Sequence, residues 1–330
     1  MNRTNLTRRR FRILLAISAL LLPIHGANAA EPAYPIRPIR MIVPFVAGGG
    51  TDLLARLVAP RLSDLLGQQI VVDNRGGAGS VLGTQILAKS PGDGYTLAML
   101  DTAFAINPGF ADKLPYDAER DFTFVAIIAT SPTVLVTHPG LKVRTLQELI
   151  TAARAHPGKI SSASAGVGSS SHLTTAMLNA AAKINLLHVP FKGAGAAILD
   201  VLGGHTDLTF VVPGTVMPQI QAGSLIPLAL TGKKPFPQLP NTPTFGAAGF
   251  PTVNPEAFRF IGAPAGLPPS VHKRLADALT RVMSVAEFRT RLADNGFDPE
   301  FQTGKEAREF VSKEIHKWRQ AVKESGAKAN

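Results

Sequence analysis

Residues 39–57 read IRMIVPFVAGGGTDLLARL and decide the fold of this chain. Residues 39–45 form a short apolar run with Pro44 near its end, which is typical of a buried strand in a parallel sheet. Three glycines follow at residues 48–50 and let the backbone approach a ligand with no Cβ in the way. Thr51 is a suitable N-cap, and leucines beyond it recur at helical spacing. The stretch therefore predicts a strand, a glycine turn and a helix N-terminus that favours a phosphate or a carboxylate.

Three interpretations of this glycine turn remain open. A dinucleotide site needs G-x-G-x-x-G, and Leu53 stands where the third glycine belongs, although Asp73 closes a second strand at a suitable distance. A plain turn between a strand and a helix is the second interpretation, because glycines are common there. A turn that binds a carboxylate is the interpretation that the rest of the chain favours.

A second stretch, residues 159–178, repeats the same order of elements. It reads KISSASAGVGSSSHLTTAML, which predicts a strand, a glycine turn, a cap of hydroxyl side chains and a helix. Gly166 and Gly168 free the backbone, and serines at residues 169–171 stand beside the helix N-terminus. If two lobes face each other, the two helix N-termini meet in one cleft and hold a carboxylate between them. The alternative is a loop of serine and glycine without a ligand.

The order of elements predicts an α/β protein with two lobes. Apolar strands at residues 70–72 and 95–100 alternate with helical segments, which indicates a parallel sheet flanked by helices. Ligands of such sheets bind beyond the carboxyl ends of the strands, where Asp101 and Thr102 lie. The predicted division is residues 30–131 for the first part of lobe 1, residues 132–255 for lobe 2, and residues 256–330 for the return to lobe 1.

The N-terminus has the order of a secretory signal peptide. Arginines precede an apolar run at residues 13–24, and Ala27, Asn28 and Ala29 follow it. The run is short for a membrane span, so an uncleaved anchor is the weaker alternative. We expect cleavage near Ala29, with removal of residues 1–29, after export by the Sec or the twin-arginine route.

Composition excludes several classes of function. The formal net charge is +11, and the five arginines of residues 1–29 contribute a large part of it. The remaining lysines and arginines are dispersed, so we expect no nucleic acid as a partner. The chain has no cysteine, which excludes disulfides, thiolate metal sites and cysteine nucleophiles. Its histidines lack the spacing of metal ligands, and we expect neither a metal nor a cofactor.

An exported enzyme is the alternative to a binding protein. His172 follows the three serines and is compatible with a serine hydrolase, but no G-x-S-x-G turn surrounds them. A histidine in the first turn of a helix more often helps to cap that helix. Nothing in the sequence demands catalysis, so we predict a binding protein and not an enzyme.

Six motifs occur in order along the chain: YPIRPIRMIVPFVAGGGTDLLAR, VVDNRGGAGSVLGTQILAKSPGDGYTLAM, INPGFADKLPYDAERDF, SASAGVGSSSHL, HVPFKGAGAAILDVLGG and APAGLP. Together they resemble the Bug family, the substrate-binding proteins of tripartite tricarboxylate transporters. The resemblance implies a two-lobed periplasmic binding protein type II fold, in which each lobe is a mainly parallel sheet flanked by helices. It also implies a periplasmic receptor that captures a small organic carboxylate between its lobes and delivers it to a two-component membrane permease. We expect a monomer.

The resemblance further implies which residues contact the ligand. In relatives, the first glycine turn grips a carboxylate and the second turn grips it from the other side. Asp101 and Thr102 are expected to line the wall of the cleft. The ligand-binding residues predicted in this way are Val46, Ala47, Gly48, Gly49, Thr51, Asp52, Asp101, Thr102, Ala165, Gly166, Gly168, Ser169, Ser170, Ser171, His172 and Val212.

Two departures from the family pattern bear on the ligand. In the resemblance, relatives that bind amino acids have an acidic residue followed by Asn at the end of the strand that here reads TFVVPG. This chain has Val211 and Val212 there, so the amine of an amino acid ligand would lack its partner. We therefore expect a non-amino dicarboxylate or an aromatic carboxylate. Arg259 stands where an aromatic residue is common; a salt bridge at the hinge surface is its expected role, and a contact with a distal ligand carboxylate is the alternative. A carboxylate sensor without a transport role also remains open.

Overall fold

A computed structural model describes residues 34–110 and 113–325, and the predicted signal peptide lies outside the described residues. Within these two ranges, no helix has the length and apolar character that a membrane span needs. The strands are β1 (Ile39–Val43), β2 (Ile70–Asn74), β3 (Thr96–Asp101), β4 (Phe122–Ser131), β5 (Val134–Thr137), β6 (Ser161–Ser164), β7 (Leu187–Pro190), β8 (Leu208–Val211), β9 (Ile226–Leu230), β10 (Ala257–Pro264) and β11 (Asp298–Thr303). The α-helices are α1 (Gly50–Leu66), α2 (Val81–Ala88), α3 (Thr102–Phe110), α4 (Leu146–Ala155), α5 (Ser170–Ala182), α6 (Ala194–Leu202), α7 (Met217–Gln221), α8 (Pro269–Ser284), α9 (Ala286–Asp294) and α10 (Gly304–Ser325).

The first sheet has six strands in the order β11-β4-β10-β3-β1-β2. β1 runs parallel to β2 and β3, as the alternation of strands and helices predicts. β10 and β4 are antiparallel to each other, and β10 is antiparallel to β3. The sheet is therefore mixed and not mainly parallel. The reason is that β4 carries the chain out to the second sheet and β10 brings it back alongside.

The second sheet has five strands in the order β7-β6-β8-β5-β9. β6 is parallel to β7 and β8, whereas β5 is antiparallel to β8 and β9, so this sheet is mixed as well. All five strands come from one continuous part of the chain. We call the six-stranded sheet with its helices the first lobe and the five-stranded sheet with its helices the second lobe. The residue boundaries given above for two separate lobes stay a prediction.

Helices cover both faces of the first sheet. In β1, successive side chains point to opposite faces, as in any strand. Met41 belongs to an apolar cluster with Leu54 of α1 and Leu275 of α8. Its neighbour Ile42 belongs to a second cluster, on the side of Trp318 in α10. Apolar layers therefore cover both faces of the first sheet, and the ends of its strands remain available for a site.

The two glycine turns form strand-to-helix connections, as predicted. α1 begins at Gly50 with Gly49 as its N-cap, so Thr51 lies one step inside the first turn and is not the cap. α5 begins at Ser170, and the hydroxyl of its N-cap Ser169 accepts a hydrogen bond from the backbone N–H of His172. The hydroxyl cap that the second turn predicts is therefore present, whereas the first turn relies on glycine.

Candidate functional site

A cavity of about 40 Å³ lies between the two lobes. One water molecule needs roughly 10–15 Å³ by the same measure, so the space admits a few groups of that size. Its walls are built from the ends of strands and the beginnings of helices. The lining residues are Phe45, Gly49, Gly50, Thr51, Asp52, Asp101, Thr133, Ala165, Ser169, Ser170, Ser171, Ala194, Phe210, Val211, Val212 and Arg259.

The N-terminus of α1 and the end of β3 form the wall on the side of the first lobe. The hydroxyl of Thr51 donates to Oδ2 of Asp101 at 2.9 Å, and the backbone N–H of Ala103 donates to Oδ1 at 2.9 Å. Burial raises the pKa of Asp101, while the charge of Arg259 and these two hydrogen bonds oppose that rise. The first backbone N–H groups of α1 have no partner within the helix, which makes this wall favourable for an anion.

Asp52 fixes the first glycine turn. Its Oδ2 accepts from the backbone N–H of Gly48 at 3.1 Å, and its Oδ1 accepts from Nδ2 of Asn74 at 2.9 Å. Arg56 adds hydrogen bonds from Nε to both carboxylate oxygens. Burial opposes ionisation, but the hydrogen bonds from Arg56, Gly48 and Asn74 outweigh it, so the pKa of Asp52 lies below its ordinary value. Asp52 is thus an ionised and fully engaged carboxylate that shapes the turn.

The N-terminus of α5 and the serine turn before it form the wall on the side of the second lobe. The hydroxyl of Ser171 accepts from the backbone N–H of Ala165 at 3.0 Å and lies 3.1 Å from the hydroxyl of Ser169. Both of these hydroxyls therefore hold the turn together. The half-buried hydroxyl of Ser170 lines the cavity, and no other described residue forms a hydrogen bond with it. Ser170 is the hydroxyl that this turn can offer to a ligand.

His172 lies behind this wall and does not line the cavity. Its ring stacks on the ring of His188, with centroids 4.0 Å apart. Its Nδ1 accepts a hydrogen bond from the backbone N–H of Gly168 at 3.3 Å. Desolvation, with a smaller contribution from the charge of His188, lowers the pKa of His172 to about 4. The ring stabilises the turn, and in the described part of the chain it forms no hydrogen bond with a serine hydroxyl, as the base of a hydrolase would.

Replacing His172 by asparagine is expected to reduce the loss of stability at acidic pH. The folded state holds His172 neutral down to about pH 4, whereas the unfolded chain binds a proton below its ordinary pKa of 6.5. The wild type therefore keeps its full free energy of unfolding above pH 6.5 and loses the contribution of neutral His172 as the pH falls toward 4. Melting temperatures of both proteins, measured over the roughly three pH units from pH 7 to pH 4, test whether the variant loses less stability. Parallel curves for the wild type and His172→Asn would contradict it, and the exposed His205→Asn is the control.

Several predicted site residues form a direct contact between the lobes. The backbone N–H of Val46 donates to the carbonyl oxygen of Lys192 at 3.2 Å. The carbonyl oxygen of Ala47 lies against Gly195, where a Cβ would come within 2.0 Å of it. A Cβ on Gly79 would likewise come within 1.7 Å of the carbonyl oxygen of Val167. The glycine turns therefore allow the two lobes to meet backbone against backbone at the edge of the cavity.

Arg259 lies in β10, a strand of the first sheet, and its side chain lines the cavity between the lobes. It is only 4% exposed, so the expected salt bridge at the hinge surface is wrong. Its Nη1 donates to the hydroxyl of Ser131 at 2.6 Å, and its Nε has no hydrogen-bond partner. Burial lowers the pKa of Arg259 to about 10, and the charge of Asp101 opposes this effect. The guanidinium remains charged at neutral pH.

The cavity gathers many, but not all, of the residues that the sequence predicts for ligand binding. Those that line it are Gly49, Thr51, Asp52, Asp101, Ala165, Ser169, Ser170, Ser171 and Val212. Those that lie outside its lining are Val46, Ala47, Gly48, Thr102, Gly166, Gly168 and His172. Thr102 instead accepts a hydrogen bond from the backbone N–H of Phe258. Contact of any of these residues with a ligand stays a prediction.

Seven lining residues are absent from the predicted set: Phe45, Gly50, Thr133, Ala194, Phe210, Val211 and Arg259. Gly50 and Ala194 lie within glycine-rich turns, so the same turn signal could have found them. Thr133 and Arg259 lie where the chain passes between the sheets, and no local pattern distinguishes them there. In the described ranges, no group of three His, Asp or Glu side chains is arranged to hold a metal ion.

Comparisons with known proteins identify the family of this chain. Residues 54–327 match the family model described as the tripartite tricarboxylate transporter family receptor. Protein BugT of Bordetella pertussis is 36% identical over 321 residues, which cover 96% of this chain and 98% of BugT.

Two solved structures are similar along nearly their whole length. The periplasmic binding protein BugD has a TM-score of 0.85 and 31% identity, over 89% of this chain and 99% of that protein. A protein of R. palustris solved with adipate has a TM-score of 0.85 and 31% identity, over 89% of this chain and 98% of its own. The two-lobed α/β fold and the prediction of a binding protein in place of an enzyme are confirmed. The chain belongs to the tripartite tricarboxylate transporter receptor family, the family of Bug solute-binding proteins.

Proposed function

We propose that this protein is an extracytoplasmic receptor that captures a small organic carboxylate between its lobes and delivers it to a two-component membrane permease. The observation that carries the proposal is the meeting of two helix N-termini, those of α1 and α5, at one cavity. Each N-terminus offers backbone N–H groups and the positive end of a helix dipole to an anion. The relative solved with adipate supports a carboxylate as that anion.

The lining of the cavity supports a ligand without an amine. Val211 and Val212 contribute apolar side chains where an ammonium group would need an acceptor. The two lining carboxylates already accept hydrogen bonds from the protein, Asp52 from Arg56 and Asp101 from Thr51. Burying an ammonium that finds no free acceptor costs free energy. We therefore infer a non-amino dicarboxylate or an aromatic carboxylate.

The direct contacts that we propose come from the first turns of both helices. The first lobe contacts the ligand through Gly49 and Thr51. The second lobe contacts it through Ser169, Ser170 and Ser171. Ser170 is the strongest candidate because its hydroxyl is the one not engaged within the turn. Residues that hold the lobes together, such as Ala47, act on affinity by shaping the cavity.

The proposal also includes export of the protein to the periplasm. Residues 1–29 act as a signal peptide that is cleaved near Ala29, by the Sec or the twin-arginine route, and the mature protein works in the periplasm as a monomer. BugD, described as a periplasmic binding protein, supports this location. Mass spectrometry of the protein purified from a periplasmic extract gives the mature N-terminus directly.

A thermal-shift screen of mono-, di- and tricarboxylates is expected to find at least one stabilising ligand. A ligand at 100 times its Kd adds about 2.7 kcal/mol to the free energy of unfolding. The same compound should be recovered unchanged after prolonged incubation with the protein. Lack of stabilisation by every carboxylate, or turnover of the ligand, would overturn the proposed function.

Ser170→Ala tests the proposed hydroxyl contact with the best compound, and Ser224→Ala is its matched control. Loss of one ligand hydrogen bond costs about 1 kcal/mol, which is roughly a fivefold increase in Kd, while the melting temperature of the free protein stays unchanged. Ser224→Ala removes an exposed hydroxyl remote from the cavity and should leave the Kd as it is. Equal Kd values for all three proteins would remove Ser170 from the proposed site.

A further inference from the structure

Arg259 is a buried cation on the wall of the cavity. In β10 it pairs with Asp101 of β3 on one side and with Ala129 of β4 on the other, and it is only 4% exposed. Phe297 closes another side, with its ring centroid 5.2 Å from Cζ. A buried charge of this kind is costly unless other groups compensate for it.

The described protein groups use little of the donor capacity of this guanidinium. A guanidinium carries five N–H donors, and here Nη1 donates to Ser131 while Nε is buried without a partner. Asp101 supplies an opposite charge nearby, but its two oxygens accept from Thr51 and from the N–H of Ala103. Asp101 therefore compensates for the charge of Arg259 without occupying its hydrogen-bond donors.

The N-terminus of α1 lies against the same guanidinium. A Cβ on Gly50 would come within 3.0 Å of Nη2 of Arg259, so the cation is adjacent to the first residue of the helix. The positive end of a helix dipole repels a cation. A Cβ on Gly50 would also come within 2.4 Å of Cγ2 of Val212, so only glycine lets the helix start this close to Arg259. An anion that reaches both Arg259 and the first turn of α1 from the cavity would interact favourably with both.

We infer that Arg259 binds the second carboxylate of a dicarboxylate ligand, so that the protein selects diacids over monoacids of the same length. This inference rests on the proposed function, in which the first turns of α1 and α5 hold a carboxylate of the ligand. The planar guanidinium suits a carboxylate because two parallel N–H groups match its two oxygens. An aromatic monocarboxylate leaves these donors unused, and the dicarboxylate is therefore the preferred class.

The test compares linear diacids of about four to six carbons, a range that includes the adipate solved with the R. palustris relative, with their monomethyl esters by calorimetry. The ester keeps the length and shape of the diacid and removes one charge. The wild type is expected to bind the best diacid at least about tenfold more tightly than its ester, a difference of about 1.4 kcal/mol. In Arg259→Gln, the Kd of the diacid should rise to that of the ester, and the Kd of the ester should change little.

Two further variants separate the role of the Arg259 guanidinium from a general effect of positive charge. Arg259→Lys retains the charge and should keep part of the preference for the diacid, and Arg61→Gln removes an exposed charge 3.8 Å from Glu287 and should keep all of it. Equal binding of diacid and ester by the wild type overturns the inference without any variant. It is also overturned if Arg259→Gln weakens both ligands equally. If the wild type binds no carboxylate at all, the proposed function itself has failed.

Discussion

Replacing Gly195 by alanine is expected to raise the Kd of the ligand roughly tenfold or more, because the new methyl group prevents the lobes from closing fully. Gly195 lies in the first turn of α6, on the second lobe. A Cβ there would lie 2.0 Å from the carbonyl oxygen of Ala47 on the first lobe, far inside any normal contact distance. Neither backbone segment can yield without moving its whole turn. The closed state is therefore destabilised, and the apparent affinity falls with the fraction of closed molecules.

The stability of the free protein should change much less than its affinity. Gly195 lies at a contact between the lobes, and most members of each apolar cluster come from a single sheet and its helices. Opening about a hinge moves packed elements as bodies and leaves their cores intact. Small-angle scattering should accordingly show a larger radius of gyration for Gly195→Ala in the presence of ligand.

Gly246→Ala is the matched control, because the nearest atom to its added Cβ lies 3.8 Å away, at an ordinary contact distance. Its affinity and radius of gyration should equal those of the wild type. If Gly195→Ala binds ligand as tightly as the wild type and remains as compact, the lobes do not need this backbone contact to close.

Local sequence signals predict the parts of this site that depend on neighbouring residues. The apolar run of β1 lies within a few residues of the glycines before α1, and the serine cap of α5 lies within a few residues of β6. Their conformations follow from steric freedom and from local hydrogen bonds, which a sequence displays directly. The prediction of two strand-to-helix turns therefore agrees with the structure.

The orientation of individual turn residues could not be predicted in the same way. Ala47 and Gly49 lie two residues apart in one turn and both lie against the second lobe, yet only Gly49 lines the cavity. This difference arises from how the two sheets face each other, which no local pattern records. Arg259 is a similar case, because every residue of β10 is buried and alternation cannot indicate the face that borders the cavity.

β11 shows the same limit for the fold. Its sequence, DPEFQT, lacks the alternation of a half-buried strand, and it forms an edge strand through antiparallel pairing with β4. Strand formation at such an edge depends on the partner more than on intrinsic preference. The mixed character of the first sheet follows from the same distant pairings, those of β4, β10 and β11.

Removing the carboxylate of Asp101 is expected to cause the largest loss of stability of any single change at the site. Asp101→Ala leaves Arg259, which is 4% exposed, as a buried cation without its opposite charge. It also deprives the hydroxyl of Thr51 and the N–H of Ala103 of their acceptor. Leaving a buried charge without its counter-charge costs about 3–5 kcal/mol. Urea denaturation followed by circular dichroism measures this loss.

Asp73→Ala is the control for loss of a carboxylate that arginines hold at a strand end. Asp73 interacts with Arg40 and Arg75, but its side chain is 23% exposed and those of the arginines are 37% and 52% exposed. Water screens such pairs, so this change should cost no more than about 1 kcal/mol. Equal losses for the two variants would show that burial does not set the importance of Asp101.

A double variant separates the charge of Arg259 from the other effects of Asp101→Ala. Burial raises the pKa of Asp101 and lowers that of Arg259, so folding disfavours both charges and the pair itself contributes little net stability. Replacing Arg259 by methionine in the Asp101→Ala background removes the lone cation and keeps an apolar side chain of similar length. The double variant should therefore be more stable than Asp101→Ala alone. If it is less stable, the two residues act independently, and Asp101 stabilises the protein through its hydrogen bonds and not as the counter-charge of Arg259.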